Sequence, residues 1–201
     1  MKNLLAVVLL AGTLTGCITP KSYVDPSFAK ATYNDIKAVD KKYESQVQIE
    51  FQRNGELLEA VESEVRGHVE RTLRASGVIT PNKDANFTLK VTINNLADMG
   101  EAFTKGFGTG LTFGAAGSTV TDYYEIEIVY TAEDGKVTTN NYKHALHTTI
   151  GNADAPIEGV PETTIAAGFG TIVEQTILNF IADMQKQGEL TFIVKPNATI
   201  S

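Results

Sequence analysis

Gln46-Val47-Gln48-Ile49-Glu50-Phe51, the break Asn54-Gly55, and the run from Glu56 to Ala75 together decide the fold. In the first piece Val47, Ile49 and Phe51 occupy every second position, the period of a strand with one face buried. In the last piece Leu57, Leu58, Val61, Val65, Val69 and Leu73 recur at three and four residues, with Glu59, Glu62, Glu64, Arg66, Glu70, Arg71 and Arg74 between them. That spacing predicts an amphipathic helix, and Gly77 is placed to end it. A strand and a helix that are each apolar on one side must bury those sides against each other.

The same two periods return downstream. Phe87, Leu89, Val91 and Ile93 predict a second strand after the Pro81-Asn82-Lys83-Asp84 turn, and Tyr124, Ile126, Ile128 and Tyr130 a third. Asp134-Gly135 is a hairpin signal, so Val137 to Ile150 is the returning strand. Residues 151–161 read as a loop. Pro161 suits the first turn of a helix that runs to about Gln187, with Ile165, Phe169, Ile172, Val173, Ile177, Phe180, Ile181 and Met184 on its core face and Gly188 as its stop. Leu190 to Val194 is a candidate last strand. The expected architecture is α+β in two layers: a mainly antiparallel sheet of about four strands packed by two amphipathic helices. The expected single domain spans 46–195, with a glycine-rich insert at 98–122 and a polar tail at 196–201.

Working back from that domain, residues 17–45 read as a tether. Pro20 and Pro26 interrupt it, while Tyr23, Phe28, Tyr33 and Ile36 are apolar enough for part of it to pack along the body. Before it stands a short positive start, Met1-Lys2-Asn3, and then Leu4 to Leu14, apolar but for Gly12 and Thr13 and too short to span a bilayer as a helix. Leu14-Thr15-Gly16-Cys17 follows, in the pattern of a bacterial lipobox. The expectation is a signal peptide over 1–16, cleavage between Gly16 and Cys17, and lipid on the Cys17 thiol. Cys17 is the single cysteine of the 201-residue chain, so an internal disulfide is excluded and the fold depends on its core. Ile18, rather than Asp, follows the cysteine; the enterobacterial sorting rule then implies the outer membrane, and the expectation is a body facing the periplasm, with exposure at the cell surface as the alternative. The formal net charge is −7, which argues against nucleic acid and against a polybasic grip on anionic lipid. Acyl chains, acting by apolar burial, are left as the attachment.

The insert is the least ordinary stretch. Six glycines fall within 98–122, interleaved with Phe103, Phe107, Leu111 and Phe113, and Lys105 is its one basic residue. A phosphate-binding loop would have to run directly from strand to helix with basic or capping support; here no Walker-type Lys-Ser/Thr follows. Gly106, Gly110 and Gly114 are spaced by four, which on a helix makes a small-residue stripe for close approach. The candidate interface with lipid or a neighbouring subunit is therefore Phe103, Gly106, Phe107, Gly110, Phe113 and Gly114. The competing reading is a long loop that packs over the sheet, since each glycine costs a helix roughly 1 kcal/mol.

Catalytic and metal signatures are missing from the sequence. His144-x-x-His147 is the nearest approach to metal spacing, and in a strand its two side chains point to opposite faces. His68 beside the helix stripe reads as a partly buried or solvated histidine. Glu125 and Glu127 share a strand face opposite the apolar set, where solvated carboxylates belong. No nucleophile elbow occurs, and the one thiol is used for the anchor. No enzyme activity, cofactor or metal is expected.

With the lipobox, the first strand, a helix ending Leu73-Arg74-Ala75-Ser76-Gly77-Val78, the strand Phe87–Ile93, the glycine-rich segment, Asp134-Gly135 and a C-terminal helix in order, the chain resembles bacterial outer-membrane lipoproteins of α/β type. More distantly it looks like the lipopolysaccharide-assembly, conjugative surface-exclusion and curli-secretion lipoproteins. The resemblance implies an envelope lipoprotein that serves assembly, transport or integrity through protein partners. Two other expectations stand beside it: a homo-oligomeric ring held by the glycine-rich segment, and a module binding lipid or glycan through that segment's aromatic residues.

Overall fold

The computed structural model describes residues 19–28, 30–97 and 117–191. Its strands are β1 (Lys21–Val24), β2 (Tyr43–Arg53), β3 (Glu56–Leu57), β4 (Ile79–Pro81), β5 (Phe87–Ala97), β6 (Ser118–Thr131) and β7 (Val137–Ile150), and its helices α1 (Glu62–Ser76) and α2 (Ile165–Lys186). The strands form one seven-stranded sheet in the order β1-β7-β6-β5-β2-β3, with β4 also on β2. The α+β class holds, but the expected count of about four strands is too low. The three additional strands are two to four residues long, too short for alternation to register. The sheet is mixed: β2 runs parallel to both β4 and β5, and its other pairings are antiparallel.

Alternation sorts the two faces. Leu89, Val91 and Ile93 of β5 are level with Tyr130, Ile128 and Ile126 of β6 and with Val47, Ile49 and Phe51 of β2. Against this face lie Val65, Val69 and Leu73 of α1 and Ile172, Val173, Ile177, Phe180, Ile181 and Met184 of α2, all essentially without solvent exposure. Two glycines let α2 sit close. A Cβ at Gly168 would stand 2.7 Å from Leu146 Cδ1, and one at Gly170 would stand 2.6 Å from the His68 ring.

Both helices begin later than the sequence spacing suggests. Asn54 and Gly55 take positive φ values of 52° and 83°, the left-handed pair of a tight hairpin turn. They fold Glu56 and Leu57 back onto Gln52 and Arg53 as β3, so α1 starts at Glu62, and Leu57 and Leu58 are solvent-accessible rather than in the core. At α2 the segment before the helix is extended, because Thr163 exchanges two backbone hydrogen bonds of 2.8 Å with Ser22. Thr164 then caps the helix, its hydroxyl accepting from the Ala167 N–H at 3.2 Å; Pro161 stands outside it. Leu190 is fully buried but Leu190 and Thr191 form no strand, and the remainder of that candidate strand lies outside the described residues.

The stretch expected as a tether is largely part of the body. Lys21–Val24 pairs with Thr149–Leu146. Further on, Phe28 stacks on the His144 ring at 5.2 Å, the Ala31 N–H donates to Asn179 Oδ1, and the Gln185 side-chain amide bonds both the N–H and the carbonyl of Lys37. The chain thus runs along α2 before it enters β2.

Candidate functional site at the β1 end of the sheet

Beyond the point where β5 stops, at Ala97 opposite Asp122, the sheet continues as three strands only. Ser118 to Thr121 of β6, His147 to Ile150 of β7 and Lys21 to Tyr23 of β1 form this extension. Tyr23 and Thr149 are buried there, on the face turned away from α2.

A hydroxyl, an imidazole and a carboxylate line up across the three strands. Thr121 Oγ1 lies 2.9 Å from His147 Nδ1, and His147 Nε2 lies 3.2 Å from Asp25 Oδ2. The other oxygen of Asp25 accepts the Ser27 N–H at 2.8 Å. Burial pushes the Asp25 carboxyl up, but the bonds from Ser27 and the contact with His147 outweigh it and hold the group below the usual carboxylate range. With Asp25 ionised, the Nε2–H tautomer donates to it and the bare Nδ1 accepts the Thr121 hydroxyl. The order is that of hydroxyl, imidazole and carboxylate in a catalytic triad, but Thr121 sits mid-strand, in the paired interior of β6. What the arrangement does on this geometry is clasp β1 to β6 and β7, since each member comes from a different strand or its exit. Nothing in the sequence joins these three residues: only pairing of distant strands brings them together.

The two histidines of β7 do point to opposite faces. His144 is buried toward α2, its Nε2 2.8 Å from Gln175 Oε1, whereas His147 faces away. His68 is partly buried against Phe169, with Arg71 at 2.6 Å from its Nδ1. Burial first, and the Arg71 charge second, hold its pKa below the ordinary 6.5. No group of three or more potential metal ligands occurs among the described residues.

The face of the sheet away from the helices is polar throughout its middle. Glu50 and Lys90 pair at 2.8 Å, and Glu125 and Lys143 at 3.0 Å. The bond from Lys90 holds the Glu50 carboxyl below its usual range. Glu125 and Glu127 are exposed here, as their strand parity requires. Cys17, Gly16 and the candidate interface Phe103, Gly106, Phe107, Gly110, Phe113 and Gly114 lie outside the described residues.

No family model matches the chain, and no curated protein matches it. Solved structures do show likeness. A DUF330-family protein from Xanthomonas campestris is 11% identical, with a TM-score of 0.38 over 82% of this chain and 91% of that one. A PelC dodecamer from Paraburkholderia phytofirmans is 13% identical, with a TM-score of 0.30 over 82% and 97%. The rare lipoprotein B from Shewanella oneidensis is 12% identical, with a TM-score of 0.31 over 73% and 92%. At such values these are similarities of chain course, from which no function follows.

Proposed function

We propose that this protein is a lipid-anchored envelope lipoprotein that acts without catalysis, as an accessory to assembly, transport or surface integrity, through protein partners. The observation that carries the reading is the placement of Leu14-Thr15-Gly16-Cys17 only four residues before the first strand of the body. Lipid on Cys17 then holds a folded domain directly at a membrane, and Ile18 directs it to the outer one. The polar outer face of the sheet suits a protein that works in an aqueous compartment beside that membrane. The clasp of Asp25 and His147 fixes the anchor-bearing strand to the sheet, so a pull on the lipid is transmitted to the whole body rather than to a loose arm.

Metabolic labelling with an alkyne fatty acid, followed by membrane fractionation, tests this directly. Wild type incorporates label and sediments with outer membranes. Cys17→Ala loses the label and accumulates as an uncut precursor. An unlabelled wild type, or a Cys17→Ala variant processed and retained like wild type, would refute the anchor. Crosslinking in cells and pull-down of the labelled protein then asks for the partners; recovery of no protein above the level of an unrelated lipoprotein would refute the accessory role.

A further inference from the structure

We infer that the body stands on the membrane by the three-stranded end of its sheet, with the rim formed by Lys21, Ser118 and Ile150 toward the lipid and the Asp134-Gly135 hairpin pointing away. The inference rests on the reading of Cys17 as the lipidated residue and adds to it an orientation and a contact surface.

The first argument is one of reach. β1 starts at Lys21, and Lys21 is level with Thr149 and, across β7, with Thr119. Because β1 is antiparallel to β7, the chain before Lys21 leaves the sheet past Ile150, off this same rim. Four residue steps separate Lys21 from Cys17, which span roughly 14 Å at full extension. β6 runs 14 residues from Ser118 to Thr131, about 46 Å at strand rise. A tether of that length keeps Lys21 close to the lipid while β1 stays paired, so the body cannot stand on its hairpin end, and the Asp25–His147–Thr121 clasp and the Ser22–Thr163 bridge keep β1 paired.

The second argument is charge. Ser118-Thr119-Val120-Thr121 and Thr148-Thr149-Ile150-Gly151-Asn152-Ala153 carry no ionisable side chain. Gly117 packs so tightly on this turn that a Cβ there would lie 2.3 Å from the Ala153 nitrogen. Lys21 is matched by Glu162 at 2.7 Å; Asp122 follows Thr121 directly, and Asp154 and Glu158 stand in the loop beyond Ala153. The opposite end gathers Asp40, Lys41, Lys42, Glu44, Asp84, Glu133, Asp134 and Lys136. A rim poor in charge loses little hydration energy when headgroups approach it, whereas a charged one loses much. The acidic loop residues favour a zwitterionic surface over an anionic one.

Energy transfer to the membrane surface tests the orientation. The lipidated full chain carries no free thiol, so Thr119→Cys and Val137→Cys variants can each be labelled with a donor at one position. Both residues are exposed, and they lie about 40 Å apart along β6 and β7. Each labelled protein is bound to vesicles of phosphatidylcholine and phosphatidylethanolamine with a few per cent of rhodamine lipid. The expected result is donor quenching at least threefold stronger at 119 than at 137. Equal quenching, or stronger quenching at 137, on vesicles that retain the protein overturns the orientation and leaves the anchor standing. A protein that does not bind the vesicles and whose Cys17 thiol reacts freely overturns the anchor reading itself, and the orientation with it.

Discussion

The two faces of the sheet use the same strands and follow opposite rules. On the covered face of β5 and β6, Leu89, Val91, Ile93, Ile126 and Ile128 are at most 2% exposed. On the other face the neighbouring residues Lys90, Thr92, Asn94, Glu125 and Glu127 stay in contact with water. One layer of helices is therefore enough to complete the core, and the second face is left as an aqueous surface. The exception is local. At the β1 end, Tyr23, Ala145 and Thr149 are buried on the outer face as well, around the clasp that holds β1. The buried residues lie mainly on one face, and on the other they are concentrated where β1 joins the sheet.

Several substitutions set those regions against one another. The largest loss is expected at the covered face: Phe180→Ala removes a fully buried ring and should cost about 3–5 kcal/mol. Thermal unfolding would show it as a fall on the order of 10 °C; a shift of only a degree or two would mean that α2 does not carry the core. Next comes the clasp. Asp25→Ala leaves His147 without its carboxylate in a setting where both side chains are under one-fifth exposed, for an expected loss of roughly 1–3 kcal/mol. Denaturant unfolding measures it, and a neutral result would mean that the three-residue chain does not hold β1.

A titration effect follows at His68. Its protonation is disfavoured in the fold, so the unfolded chain takes up the extra proton first. Stability conferred by the neutral ring is complete above the ordinary value of 6.5. It declines as pH falls from there, and the decline is finished below the depressed folded value. The melting temperature of wild type should therefore drop between about pH 7.5 and 5.5, above the range where carboxylates titrate, and His68→Gln should flatten that slope. An unchanged slope in the variant would remove His68 as the cause. The smallest effect belongs to the open face: Lys90→Ala breaks the pair with Glu50 in contact with solvent and should change stability by less than about 1 kcal/mol. A loss comparable to that of Phe180→Ala would show that the two faces are not energetically distinct.

How far the sequence foretold this depends on the length over which a pattern repeats. The strands β2, β5 and β6, of eleven or fourteen residues, show their period-two alternation plainly, β7 is read instead from the Asp134-Gly135 turn before it, and the buried stripe of α1 and α2 shows its three-and-four spacing. The strands of two to four residues leave too few positions for a period, and β1 joins the sheet because β7 offers a free edge far along the chain, a long-range pairing that local reading does not reach. The same holds for the parallel pairing of β2 and β5. Asn54-Gly55 was legible as a break, yet its left-handed geometry turns it into a hairpin, so that the helix begins six residues later than expected, at Glu62. The clasp of Thr121, His147 and Asp25 had no local signal at all, because it exists only once three strands are in register. The proposed anchor is the reverse case: the pattern from which it is read lies in four consecutive residues, Leu14 to Cys17.

That anchor carries the functional account, and intact-mass analysis of the N-terminal peptide from protein isolated out of membranes tests it most directly. The account predicts a peptide that begins at Cys17 and carries a diacylglycerol on sulfur. A peptide that begins at any other residue, or a Cys17 recovered with a free thiol, would contradict it.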